Sequence, residues 1–142
     1  MFVDSSAFVA LLANEPDAPR LANAIAGSQM RYTSGLVRLE TVMRTASKLR
    51  VSVEDAQQAF DAILTEASIE VVPITDAMAR TAVNAFSQYG KGRGHPAQLN
   101  LADCMAYAAA KAYQCPLLFI GNDFSKTDLA SGLIDPSPQS PR

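Results

Sequence analysis

Two cysteines, one histidine and no long apolar run mark this 142-residue chain. Its longest stretch without Asp, Glu, Lys or Arg is residues 112–122, about half of the ~20 residues that a membrane-spanning helix needs. Cys104 and Cys115 lack metal-ligand spacing, and on one helix they would lie too far apart to bridge. They read as small core residues in a reducing compartment. The single histidine, His95, sits in a Gly/Pro loop, so neither a histidine metal pair nor a Ser–His nucleophile can be built. A Walker glycine loop is also missing. Met1-Phe2-Val3-Asp4 offers no basic segment and carries a carboxylate, so a signal peptide is not expected and a cytoplasmic location is. Net charge −2 and pI 5.3 argue against a globally basic nucleic-acid binder. They leave room for an enzyme that relies on local arginines, because net charge bears on association and not on chemistry.

What the chain does have is a 49% hydrophobic composition, enough for one domain with a real core. Its pattern alternates strand and helix. Residues 2–3 start a strand that ends on Asp4, and Ser5 or Ser6 can cap a helix running to residue 12. A second short helix, 21–26, stops at Gly27. Residues 30–33 read as a strand. Ser34 caps a helix whose apolar positions are Leu39, Val42, Met43, Ala46 and Leu49. A helix over 53–67 carries Ala56, Phe60, Ile63, Leu64 and Ala67 on one face. The remaining elements are a strand at 69–74, a helix capped by Thr75 or Asp76 and reaching Tyr89, a helix at 99–113 and a strand at 117–120. The loop 90–96, with Gly90, Gly92 and Gly94, is expected to be mobile. Prolines 136, 138 and 141 mark a flexible tail over 136–142, which leaves 1–135 as the domain. This alternation indicates an α/β sandwich with a largely parallel sheet.

In such sheets ligands bind beyond the carboxyl ends of the strands. Asp4 ends the first strand and Asp123 follows the last. Asp103 lies in the first turns of the helix near residue 99, and Glu40 on the helix after the second strand. Each has an ordinary explanation on its own. Asp4 can cap a helix, Asp103 can close a capping box with Asn100, Asp123 can serve a turn, and Glu40 can pair with Arg44. Together they say more. Two carboxylates ~4 Å apart repel by about 4 kcal/mol at an effective dielectric near 20, so a cluster calls for a cation. Oxygen ligands select hard ions, Mg²⁺ or Mn²⁺, which generate a nucleophilic water and stabilise in-line phosphoryl displacement. Arg38, Arg44, Lys48 and Arg50 crowd around Glu40, and Lys91 and Arg93 lie in the glycine loop.

The chain resembles a PIN domain, and more closely the VapC toxin ribonucleases of VapBC toxin–antitoxin pairs. The resemblance is carried by Met1-Phe2-Val3-Asp4-Ser5-Ser6-Ala7, by Val37-Arg38-Leu39-Glu40 and by Asn100-Leu101-Ala102-Asp103-Cys104. It extends through Leu118-Phe119-Ile120-Gly121-Asn122-Asp123-Phe124 to Asp128, and the Gly92-Arg93-Gly94-His95-Pro96-Ala97 loop also fits it. The resemblance implies an α/β/α sandwich around a mainly parallel sheet of four or five strands. It implies an Mg²⁺-dependent endoribonuclease, with Mn²⁺ a substitute. Asp4 and Asp103 would be principal ligands, and Glu40 and Asp123 would complete the quartet. Ser6 would orient Asp4, Asn100 would brace Asp103, and Asp128 is an alternative for the fourth position. Arg38, Arg44 and Arg93 would contact RNA or a VapB-type antitoxin, and the family's usual assembly is a homodimer. A PIN-type nuclease of RNA processing or DNA flaps is the competing enzyme. A receiver-like regulator using Lys126 would leave Asp123 without a purpose.

Overall fold

Phe2 and Val3 are fully buried and form β1 (Phe2–Val3) at the centre of a four-stranded parallel sheet. In this computed structural model, which describes residues 1–133, β1 has β2 (Tyr32–Ser34) on one side and β4 (Leu117–Leu118) on the other. Outside β2 lies β3 (Glu70–Val72), giving the order β3-β2-β1-β4. Phe2 pairs with Tyr32 and Leu117, and Val3 with Leu118. The buried Thr33 hydroxyl donates to the Val3 carbonyl at 3.0 Å, a second tie between β1 and β2. Leu117 also bonds outward to the chain at Ala130 and Gly132, so a one-residue bridge to Ser131 stands where a fifth strand would.

The strands are shorter than the apolar runs suggest. Residue 30 does not join β2. Its carbonyl accepts from the N-terminal amine of Met1 at 2.7 Å, and Met30 is exposed. The helices follow their caps more closely. α1 (Ser5–Leu12) is capped by Asp4, not by Ser5 or Ser6. α2 is Ala18–Ala26, and α3 (Gly35–Leu49) starts from the Ser34 hydroxyl. α4 (Val53–Glu66) starts from Ser52, α5 (Asp76–Tyr89) from Thr75 and α6 (Leu101–Ala112) from Asn100. α1 to α4 pack against one another, α5 lies along α6, and α6 reaches β1 and β4. Their shared core includes Phe2, Phe8, Phe60, Leu21, Leu99, Leu117 and Leu118. Each such side chain contributes about 1.5–3 kcal/mol on full burial.

The apolar face expected on α3 is only partly inward. Val42 is buried, but Leu39 and Met43 are 56% and 60% exposed. α3 instead buries Val37, Thr41, Val42 and Thr45, facing α1 and α4. The expected tail over 136–142 and the boundary at 135 lie outside the described residues.

The loop after α5 is tied at its base. Lys91 N donates to Leu99 O and Leu99 N to Tyr89 O, each at 2.9 Å. Gly90 is buried, and a Cβ there would stand 2.4 Å from the Phe86 carbonyl oxygen and ring. Gly90→Ala should therefore cost about 1–3 kcal/mol, as overpacking does. Its urea midpoint should fall; an unchanged midpoint would show that the end of α5 relaxes freely.

Candidate active site

The sheet order reverses at β1. β2 and β3 lie to one side and β4 to the other, so a crevice opens beyond the carboxyl ends of β1 and β4. A polar cleft of about 340 Å³ occupies this position, lined by Asp4, Ser5, Ser6, Glu40, Arg44, Asn100, Asp103, Ile120, Asp123 and Phe124. All four carboxylates expected from the sequence line it, delivered by four separate segments.

Each segment fixes its acid locally. Asp4 follows β1, is buried, and caps α1: its Oδ2 accepts from Ser6 N at 3.1 Å and Ser6 Oγ at 2.7 Å. Ser6 Oγ in turn accepts from Ile120 N at 3.0 Å, which binds the end of β4 to the same point. Glu40, on the second turn of α3, accepts from Ser5 Oγ. Asp103 is at the third position of α6: its Oδ2 accepts from Asn100 N at 3.0 Å, and Asn100 Oδ1 accepts from Asp103 N at 2.9 Å. The capping box is thus real, and it aims the carboxylate into the cleft. Gly121, with φ of +107°, turns the chain after β4 in a region that disfavours other residues. Asp123 follows at the start of the short 3₁₀ turn Phe124–Lys126.

Electrostatics mark the cluster. Burial pushes the Asp4 carboxyl above its ordinary range, opposed by the Ser6 hydrogen bonds and reinforced by the charge of Glu40. Asp103 is raised to about 7, first by burial and then by the charges of Asp4, Asp123 and Glu40, against the pull of the Asn100 amide. The second oxygens of Glu40 and Asp103 and both oxygens of Asp123 accept no hydrogen bond among the described residues. These are hard oxygen donors that repel one another and have lone pairs to spare, which fits a hard divalent cation. Among the described residues no three His, Cys, Asp or Glu side chains are arranged to hold one ion directly. Mg²⁺ needs no such trio, since it keeps several waters and takes one or two carboxylates.

The other expected residues divide. Ser6 and Asn100 hold Asp4 and Asp103 as described. Arg44 reaches the cleft and makes no hydrogen bond or ion pair among the described residues. Arg38 does not line the cleft: its Nη1 pairs with Asp61 at 2.6 Å and its guanidinium lies over Phe60, both on α4. Arg93 stacks on Phe86, 5.6 Å from the ring centre. Asp128 lies outside the cleft and accepts from Tyr107 Oη and Lys111 Nζ, each at 2.6 Å. Ser5 is a cleft residue outside the set expected from the sequence. Its signal was there, since a hydroxyl right after an acid at a strand end starts the helix that faces the next acid.

The PIN domain family model matches residues 1–129. Ribonuclease VapC28 of Mycobacterium tuberculosis is 38% identical over 94% of this chain and 98% of its own. Ribonuclease VapC of Mycolicibacterium smegmatis is 40% identical over 92% of this chain and 98% of its own. Among solved structures, M. tuberculosis VapC20, a sarcin–ricin loop cleaving toxin, superposes with a TM-score of 0.71 at 19% identity, over 91% of this chain and 95% of that one. At that identity the likeness is one of fold.

Proposed function

This chain belongs to the PIN-domain family, among the VapC toxin ribonucleases, and on that premise we propose a metal-dependent endoribonuclease that acts as the toxin of a type II toxin–antitoxin pair in the cytoplasm. The observation that carries this reading is the cleft at the β1/β4 crevice, where four carboxylates from separate segments meet Arg44, which pairs with none of the described residues. A flap or RNA-processing nuclease would use the same acids, but the near full-length relatives are VapC ribonucleases.

Mg²⁺, or Mn²⁺ in its place, would be held by Asp4 and Asp103, with Glu40 and Asp123 directly or through water. When bound, the ion supplies Lewis-acid stabilisation of the phosphate and a more acidic water. The chain's own residues do the positioning. Ser6, Ser5 and Asn100 each fix one oxygen of Asp4, Glu40 and Asp103, which holds these carboxylates at the cleft in advance. Arg44 offers a planar, permanently charged donor fork suited to a phosphate. Arg93, on the loop after α5, is an RNA or antitoxin contact. Arg38 is left out, since Asp61 occupies it.

A VapB-type antitoxin would silence the enzyme by covering this cleft. A second copy of the chain would cover the apolar side chains left exposed, among them Leu39, Met43, Phe86 and Leu101. Sedimentation at twice 15.1 kDa would show the homodimer.

Protein stripped with chelator should leave a structured RNA intact. Adding Mg²⁺ or Mn²⁺ should restore internal cleavage, and the product of the neighbouring antitoxin-sized reading frame should suppress it. Intact RNA with both ions present, or cleavage indifferent to chelator, would overturn the reading.

A further inference from the structure

Asp128 stands among the motif residues yet takes no place in the cleft. Its carboxylate is nonetheless the most heavily bonded in the described chain. Oδ1 accepts from Tyr107 Oη at 2.6 Å and from Tyr89 Oη at 3.4 Å, and Oδ2 accepts from Lys111 Nζ at 2.6 Å. Lys111 also lies 5.5 Å from the Tyr107 ring centre.

The donors are not scattered. Asp103, Tyr107 and Lys111 are spaced by four along α6, so they share one stripe of the helix. The upper end of that stripe delivers Asp103 to the cleft. Its lower two positions grip Asp128. Between the cleft and the grip runs a short, internally braced segment carrying Asp123. Phe124 is buried against Phe119 with ring centres 5.2 Å apart. Thr127 N and Oγ1 both donate to Phe124 O, at 3.0 and 2.7 Å, and Ser125 Oγ donates to Asn122 O at 2.8 Å. Asp123 itself makes no side-chain cap. No described residue bonds its side chain, so the backbone sets its position.

We propose that Asp128 is a positioning residue: clamped by Tyr107 and Lys111, it docks the Asp123-bearing segment on the same helical stripe that carries Asp103 and so sets the separation of those two acids. The inference rests on the reading of Asp103 and Asp123 as acids of one metal-dependent site. Asp128 need not touch the metal or the RNA. Tyr107 and Lys111 act through it, and Tyr89 brings the end of α5 to the same point.

The test compares Asp128→Ala with Tyr107→Phe, which removes one hydroxyl and keeps the ring in the core. Asp123→Asn runs beside them. Three quantities are read: RNA cleavage, the Mn²⁺ concentration giving half of the melting shift, and the amide NMR signals of residues 121–123 in metal-free protein. Asp128→Ala should raise the Mn²⁺ half-point and lower kcat on the order of 10–100-fold, the range seen when residues supporting a metal ligand are removed. KM for RNA should change little. Tyr107→Phe should move each quantity in the same direction by less, and both variants should shift the 121–123 amides. If Asp128→Ala fails to fold, Tyr107→Phe decides alone. Lost cleavage in proportion to lost folded protein, with the Mn²⁺ half-point and the 121–123 amides unmoved, would overturn the proposal and leave a stability clamp. An unaltered metal response in Asp123→Asn would instead overturn the assignment of Asp123, a separate failure.

Discussion

Asp103→Asn should lose RNA cleavage by about a hundredfold or more, since several kcal/mol of charge stabilisation at the reacting phosphate is at stake and each ~1.4 kcal/mol is a decade of rate. The substitution is a narrow one. Asn keeps the size, and its carbonyl can still accept from Asn100 N, so the cap of α6 survives. What goes is one charge and the free oxygen in the cleft. Asp4→Asn should do the same, although the buried carboxylate there also holds Ser6 N and Oγ, and some stability should go with it. Initial rates on one RNA, with melting temperatures alongside, separate chemistry from unfolding. A near-parental rate in a folded Asp103→Asn protein would sink the four-carboxylate site.

Between about pH 4 and neutrality the metal-free protein should weaken as pH rises. Folding raises Asp103 from 3.8 to about 7, and Asp4 moves in the same direction. A group that binds its proton more tightly when folded contributes stability below its unfolded pKa. That contribution drains away as pH climbs through the folded pKa. The window is therefore about pH 4 to 7 for Asp103. Mg²⁺ or Mn²⁺ should reverse the trend, because an ion that binds only the folded state stabilises it by mass action and binds deprotonated carboxylates best. Asp103→Asn should flatten the profile and match or exceed the parent at pH 8 without metal. A helix-cap charge is worth only about 0.3–1 kcal/mol near a first turn, and at Asp103 burial and three neighbouring carboxylates outweigh it. Thermal melts at pH 5 and pH 8, with and without metal, read all of this. A parent more stable at pH 8 than at pH 5 in chelator would contradict it.

Local signals were legible in the sequence and rotational ones were not. Thr75 capping α5, Ser34 capping α3 and the Asn100–Asp103 box depend on residues three apart, so they can be read off the chain. The cleft acids were legible because strand ends in a parallel sheet share one edge, and the resemblance supplied their order. The direction of α3 was not. Its Thr41 and Thr45 fill the interface with α1 and α4 at positions where apolar residues would be expected, which turns Leu39 and Met43 outward. The same rotation commits Arg38 to Asp61, a partner 23 residues away that no local rule selects. Strand lengths were overestimated because hydrophobicity reports burial, whereas β2 ends where its ladder partners do.

The strand at the middle of the sheet leaves the ribosome long before β4, one of its two neighbours. Leu117 and Leu118 follow Phe2 and Val3 by more than a hundred codons. At about 5–20 residues per second that is a wait of several seconds. Until then Asp4 has no β4 beside it, Ser6 has no Ile120 amide to hold, and Asp103 and Asp123 do not stand across from it. A polypeptide released early, by a premature stop or a stalled ribosome, therefore carries Asp4 and Glu40 without the other half of the cleft. The cell that makes this protein meets an assembled set of acids only once the codons for β4 and Asp123 have been read.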